Sequence, residues 1–395
     1  MSPRSLRDWL LLPLIGIVTI LLIAGSVELA ARRMFKVSET SSLKCLVLND
    51  PSTGVRAIPN STCSEKIYES DLTEYEFNSR GHRAGFDYGP KSPDTYRIVL
   101  VGSSFSEGLW SPRERTYAAL LPAEISARTG RKVELYNEGM QWGTPHSVDL
   151  RFDEVLAAKP DMILWTVTPW DVDNASLLIP YVARQFDPAL AHDEPAASIT
   201  QRVLKAFRSK SILQAIKDGW SRAIGPFNDT RTAVLLQHFL YKSQSQYLKH
   251  YLMQDESNAF LQTQPGPAFV ENLSEFGQYA ADLAARSKAA GVPLVVVLVP
   301  QRAQAAMISM GTWPAGFDPY KLGEEIRTHI ESNGAIYIDA LHGFRTIPNP
   351  EQYYFPVDGH ITSEGHALLT HIMAQAISSG AVPNLGKATA TAVER

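Results

Sequence analysis

Cysteine is nearly absent from this 395-residue chain: there are two, Cys45 and Cys63. That number excludes a zinc site built on thiolates and a disulfide-rich scaffold. The two lie 18 positions apart, so a single bridge closing a short loop is the expectation, and it would suit an oxidising compartment. Charge of one sign is also lacking. The formal net charge of −4 gives no footprint for nucleic acid, and we expect no nucleic-acid partner. Internal repeats are absent. The turn after the first strong strand has neither Gly-x-Gly-x-x-Gly nor the lysine of a phosphate loop, which removes a nucleotide site there. No metal or cofactor is expected.

Long apolar runs are absent except one. Trp9–Val27 holds 19 residues without a charge. At about 1.5 Å per residue it nearly spans a hydrocarbon layer of roughly 30 Å. Arg4 and Arg7 flank one end, and Glu28, Arg32, Arg33 and Lys36 the other, so charge does not fix the orientation. Small residues at Ala24–Ser26 and Ala30–Ala31 leave a cleaved signal peptide open. The run is longer than a usual signal core, and we take residues 9–31 as a retained anchor behind a short segment 1–8. This places the remainder outside the cytoplasm as a single-pass protein.

What is present is an alternation of strands and helices. Residues 32–95 are polar and turn-rich and read as a neck with few regular elements. From Tyr96 the pattern becomes regular. Strands are expected at Tyr96–Val101, Val133–Tyr136, Asp161–Val167, Pro293–Val299 and Ile336–Asp339. Helices are expected at Tyr117–Arg128, Val148–Ala158 and Tyr320–Ser332, with a last one capped by Thr362 or Ser363 and running to Ser378. This order implies a mostly parallel sheet covered on both faces, an α/β domain over 96–379. Residues 175–265 interrupt it with helical stretches (Ile199–Ala206, Ser211–Ala223, Ala233–Tyr251) and no strand, so they read as a helical insertion. Its apolar, aromatic stretch Leu235–Tyr241 is either a lid over the site or packing on the domain. Residues 380–395 read as a disordered tail.

Two segments carry chemistry. Val99–Gly108 runs from a buried strand into serines at a Gly-flanked turn, which sets a hydroxyl at the carboxyl end of the sheet, where such sheets bind ligands. Ser104 is the candidate nucleophile, with Ser103 and Ser106 as competitors. Asp358-Gly359-His360 precedes the last helix. An acid two residues before a histidine can hold its Nδ1–H and leave Nε2 to take a serine proton. Asn137-Glu138-Gly139 and Pro169–Asn174 follow the second and third strands, so several strand ends offer polar loops to one edge. An α/β-hydrolase elbow is excluded, because the residue two after Ser104 is Ser106 and not glycine. His366 sits on the last helix and reads as structural, and His82 and His146 have no partner in sequence that marks them as functional.

This arrangement resembles the SGNH (GDSL-like) hydrolases. Gly102-Ser103-Ser104-Phe105 is similar to their first block, with Ser103 where an aspartate is usual. Asn137-Glu138-Gly139 is similar to the second block, Pro169-Trp170-Asp171-Val172 to the third and Asp358-Gly359-His360 to the fifth. The stretches Tyr75–Gly81 and Asp358–His366 are also similar to a membrane-anchored bacterial branch that O-acetylates alginate and other polysaccharides. The resemblance implies a flavodoxin-like three-layer α/β/α sandwich and a Ser104–His360–Asp358 triad. It implies oxyanion or substrate contacts from the Ser104 and Gly139 N–H groups, Asn137 and Trp170. Trp170 replaces the third-block asparagine, so its indole or Asn174 would have to stand in. The implied activity is serine ester hydrolysis or O-acyl transfer on acyl, above all acetyl, esters of carbohydrate. Partners would be that substrate, the membrane and other envelope polysaccharide-modifying proteins. The alternative is a catalytically degenerate binding or scaffold component.

Overall fold

A computed structural model describes residues 6–38, 40–50, 53–175, 230–253 and 257–386. The stretches Ile199–Ala206 and Ser211–Ala223 of the expected insertion, and the end of the tail, lie outside these residues. Helix α1, Leu6–Met34, contains a 24-residue segment, Leu11–Met34, long and apolar enough to cross a membrane. It is not packed as a core helix would be: Ile20, Leu21 and Leu22 are each about two-thirds exposed.

The neck is more regular than its composition suggests. Strands β1 (Leu46–Asp50) and β2 (Gly54–Ala57) form one antiparallel pair, and β3 (Thr62–Glu65) and β4 (Thr73–Glu76) another. Short strands among turn residues leave little periodic signal, which is why the sequence hides them. Cys45 and Cys63 are disulfide-bonded with their Cα atoms 6.1 Å apart, joining the two hairpins. Cys45, Val55, Tyr75 and Phe77 pack with Leu109, Trp110, Met140 and Phe355 in a second, smaller core. The neck is thereby fused to the loops that follow the sheet.

The central sheet has five strands: β5 (Thr95–Gly102), β6 (Lys132–Asn137), β7 (Met162–Val167), β8 (Leu294–Leu298) and β9 (Ile336–Ile338). Their order is β6-β5-β7-β8-β9 and every pairing is parallel. All eight residues of β5, and all of β7 and β8, are buried, as a sheet covered on both faces requires. The order reverses at β5, and the crevice between the carboxyl ends of β5 and β7 is where such a sheet opens to ligands.

Helices follow the strands: α2 (Ser104–Glu107), α3 (Tyr117–Thr129), α4 (Pro145–Leu150), α5 (Phe152–Ala157) and α6 (Pro169–Asp173). Within the expected insertion lie α7 (Arg231–Leu240) and α8 (Gln244–Tyr251), and after it come α9 (Pro267–Ala289), α10 (Arg302–Met310), α11 (Lys321–Ser332) and α12 (Ser363–Ile377). The expected helix Val148–Ala158 is broken at Arg151, whose buried guanidinium turns inward to the carbonyls of Ser147 and Glu138. The expected Ala233–Tyr251 helix is likewise two pieces. Thr362 caps α12, accepting from the Gly365 N–H. Past residue 380 the chain still packs: Val382 and Leu385 are buried in the main core, so the tail is ordered further than expected.

Candidate active site

Ser104 opens α2 directly after β5. Gly102 makes that turn possible. Its φ of 149° lies in the region that disfavours side chains, and a Cβ would meet Ser106 Oγ at 2.2 Å and the Thr166 carbonyl at 2.5 Å. Three serines follow, and their partners separate them. Ser103 Oγ donates to Asp171 Oδ2 at 3.2 Å. Ser106 Oγ is bound to Thr166 Oγ1 and lies 3.2 Å from the Tyr117 hydroxyl, in the interior. Ser104 Oγ alone faces the histidine, 2.8 Å from His360 Nε2.

His360 and Asp358 come from the loop before α12. Asp358 Oδ1 accepts from the His360 main-chain N–H at 3.0 Å and sits 2.7 Å from Nδ1. One carboxylate oxygen thus fixes both the backbone and the ring, which leaves Nε2 for the serine. Burial pushes the Asp358 carboxyl up. The charge and hydrogen bonds of His360, with the Trp110 indole, outweigh it and hold the group below the ordinary aspartate value. Phe105 packs on the imidazole, ring centroids 4.9 Å apart, and Trp110 meets its edge at 6.4 Å.

The triad lies on the wall of a cleft of about 590 Å³. Aromatic side chains dominate the lining: Phe105, Trp110, Trp142, Trp170, Tyr241, Tyr247 and Tyr251, with Gln141, Gln237, His250, Gln301 and Arg302 between them. Trp110 and Trp142 have φ of 64° and 62°, left-handed backbone that is costly for bulky residues. The Trp142 and Trp170 rings are edge-on, centroids 6.4 Å apart.

The expected oxyanion donors fare differently. The Ser104 N–H is in the first turn of α2, with no intrahelical acceptor. The Gly139 N–H donates to Asn137 Oδ1 at 3.0 Å, within its own turn. Asn137 in turn donates to the Ser106 carbonyl and is buried away from the cleft. Glycine is needed at 139 for packing instead: a Cβ would lie 2.4 Å from Ser106 Cβ. Asn174 does not replace the third-block amide, because its Nδ2 caps α6 at the Trp170 carbonyl, 2.9 Å away. Trp170 does line the cleft.

Two buried acids lie near Ser104. Asp171, desolvated but held by Thr168 and Ser103, is pushed up to about 6. Glu107, fully enclosed at the end of α2, is pushed up to about 7 by desolvation, against the pull of Arg83, the Gln141 N–H and His360. Among the histidines, His366 is buried, accepts from the Tyr117 N–H at 3.2 Å and is pushed down to about 3 by desolvation. His82 is buried against Tyr88 and also lowered to about 3. His146 stacks on Tyr279. None of these three lines the cleft. The stretch Leu235–Tyr241 does reach it, through Gln237 and Tyr241. Sequence reasoning missed Trp110, Gln141, Trp142, the contribution of α8 and Arg302. Only the out-of-pattern tryptophans after strand ends offered any signal for them.

Residues 256–395 match the family model of the SGNH hydrolase-like domain of the acetyltransferase AlgX, a span that includes Asp358 and His360 but stops short of Ser104. No curated protein matches the chain. Solved structures that it resembles include a mutant of Axe2, an acetyl-xylooligosaccharide esterase from Geobacillus Stearmophilus, at 12% identity and a TM-score of 0.37 over 71% of this chain and 94% of that one. TesA is similar at 10% identity and a TM-score of 0.37, over 71% and 97%. The lipase/acylhydrolase from Enterococcus faecalis is similar at 14% and 0.34, over 71% and 95%. Likeness at that level adds no argument of its own. The resemblance to SGNH (GDSL-like) hydrolases read from the motifs is thus borne out by the family model over residues 256–395, which are similar to the SGNH hydrolase-like domain of AlgX.

Proposed function

We propose that this chain is a membrane-anchored, extracytoplasmic serine esterase or O-acyltransferase that acts on acyl, chiefly acetyl, esters of carbohydrate. The observation that carries the reading is the line from Ser104 Oγ through His360 to Asp358, with successive spacings of 2.8 and 2.7 Å. In the first half-reaction Ser104 Oγ bonds to the ester carbonyl carbon while His360 Nε2 takes its proton. The C–O bond to the leaving alcohol then breaks and His360 returns the proton to that alcohol. In the second half-reaction an acceptor hydroxyl attacks the acyl-serine and His360 repeats the exchange. Water as acceptor gives hydrolysis, and a sugar hydroxyl gives transfer. The Ser104 N–H, in the first turn of α2, would serve as an oxyanion donor. The aromatic cleft supports a carbohydrate partner, since flat rings pack on sugar C–H faces. The apolar segment Leu11–Met34 supports the anchor.

The test is acetate release from a chromogenic acetyl ester, with covalent labelling by a fluorophosphonate. Wild type should turn over and be labelled at Ser104, and Ser104→Ala should do neither. Equal, negligible rates in both proteins, with no labelling of either, would sink the enzymatic reading. A scaffold role is the second reading. It is favoured by the engaged Gly139 N–H and by Trp170 at the usual asparagine, since each missing oxyanion donor costs about 10²–10³ in rate.

A further inference from the structure

The loop that carries the catalytic acid is clamped from both polarities. On the amide side, Glu69 Oε2 accepts from the Val357 N–H at 2.8 Å and from the Asp358 N–H at 3.1 Å. On the carbonyl side, the buried Arg302 guanidinium donates to the Pro356 carbonyl. Both clamps lead to α7. Glu69 Oε1 sits 2.6 Å from His238 Nδ1, and a second Arg302 nitrogen donates to the Tyr241 carbonyl at the end of the same helix. The Glu69 side chain is 1% exposed, and its bonds are charge-assisted, the kind least easily replaced by water.

Helix α7 is itself held from the apolar helix. Glu28 of α1 accepts from the Arg231 and Thr232 N–H groups at 3.1 and 2.9 Å and from the Thr232 hydroxyl at 2.8 Å. Phe35, just past α1, meets the His238 ring edge-on at 5.2 Å. An unbroken series of contacts therefore runs from the end of the apolar helix to the main chain of Asp358. Small displacements of a catalytic group are costly: about 1 Å can cost 10²-fold. We propose that Glu69 is a positioning residue for Asp358, and that through Glu69 and His238 the docking of α7 against the N-terminal helix sets the triad's alignment. The kinetic part rests on the ester reading of Ser104. The mechanical part does not.

The experiment uses the full chain in detergent micelles, as wild type, Glu69→Ala, Glu69→Gln, His238→Phe, Glu28→Ala and Ser104→Ala. Two quantities are followed: kcat and KM for a chromogenic acetyl ester, and amide exchange of residues 356–360 in the folded protein. Glu69→Ala should lower kcat about 10- to 100-fold with KM within about twofold, and speed exchange of that loop at least tenfold. Glu69→Gln keeps an oxygen for the two amides and should recover most of both. His238→Phe and Glu28→Ala should give intermediate exchange in the same loop, although neither touches it. Wild-type kcat in Glu69→Ala, a change in KM alone, or loop exchange indifferent to Glu28 and His238 overturns the proposal. Should Glu69→Ala lose its cooperative melt, Glu69→Gln and His238→Phe decide, and wild-type values of both quantities in both variants overturn it. If wild-type Ser104 is inert while the loop still responds, it is the ester reading that has failed. Glu69 is then a purely structural clamp and its positioning role falls too.

Discussion

Ser103 and Asp171, 68 residues apart, meet through a hydrogen bond of 3.2 Å beside Ser104. That contact joins the turn after β5 to the capping box of α6, where Thr168 and Asp171 bind each other's main chain. It also makes serine a fitting residue at 103, since its hydroxyl can donate to the carboxylate. A carboxylate at 103 would face the buried Asp171. We expect Ser103→Asp to destabilise the fold by about 1–3 kcal/mol through like-charge contact and desolvation. Adding Asp171→Asn should restore most of the loss. A thermal-melt double-mutant cycle in which the two changes are additive would contradict this.

Asp358 acts on His360 through one oxygen. Asp358→Asn should therefore leave the melt near wild type but cut the labelling rate of Ser104 by about 10³–10⁴, the loss seen when the ring is left in the wrong tautomer. A fall below tenfold would mean that the acid does not orient the ring.

Glu107 gives a pH signature. Its folded value, about 7, lies above the ordinary 4.5 because burial disfavours the charge. Such a group favours the fold fully below about 4.5 and loses that contribution as pH rises through 7. Glu107→Gln keeps an acceptor for the Gln141 N–H and does not titrate. Its melting temperature relative to wild type should climb between pH 5 and pH 8. A flat difference across that range would show that Glu107 titrates normally.

The disulfide closes a loop between residues 45 and 63 and ties the hairpins of the neck together. Replacing both cysteines by serine should cost roughly 3 kcal/mol. Because the neck shares a core with Trp110, limited proteolysis should then cut within 46–77 first. Protection of that region equal to wild type would show that the small core suffices alone.

The regular domain was readable because buried parallel strands write themselves as continuous apolar runs. Thr95–Gly102, Met162–Val167 and Leu294–Leu298 all fall within a residue or two of expectation. The meeting of Ser104, His360 and Asp358 was foreshadowed by a local pattern, Asp-x-His above all. The neck hairpins were not, since four- and five-residue strands among glycines and prolines have too short a period. The partner of the Gly139 N–H was illegible for a different reason. Whether the Gly139 N–H points to the cleft or to Asn137 is a matter of one peptide's orientation, and a sequence does not encode that separately from its turn. Glu69 had no signal at all. An acid 289 residues before Asp358 becomes relevant only once the folded neck lies beside that loop.

The two tryptophans with positive φ have an evolutionary corollary. Each holds its backbone in a shape that glycine adopts freely, at a cost of about 1–3 kcal/mol apiece. Random variation screened only for heat resistance should drift toward glycine at 110 and 142, hollowing out the aromatic wall as it does so. Retention of indole there under such a screen would mean that packing, rather than ligand, keeps those residues in place.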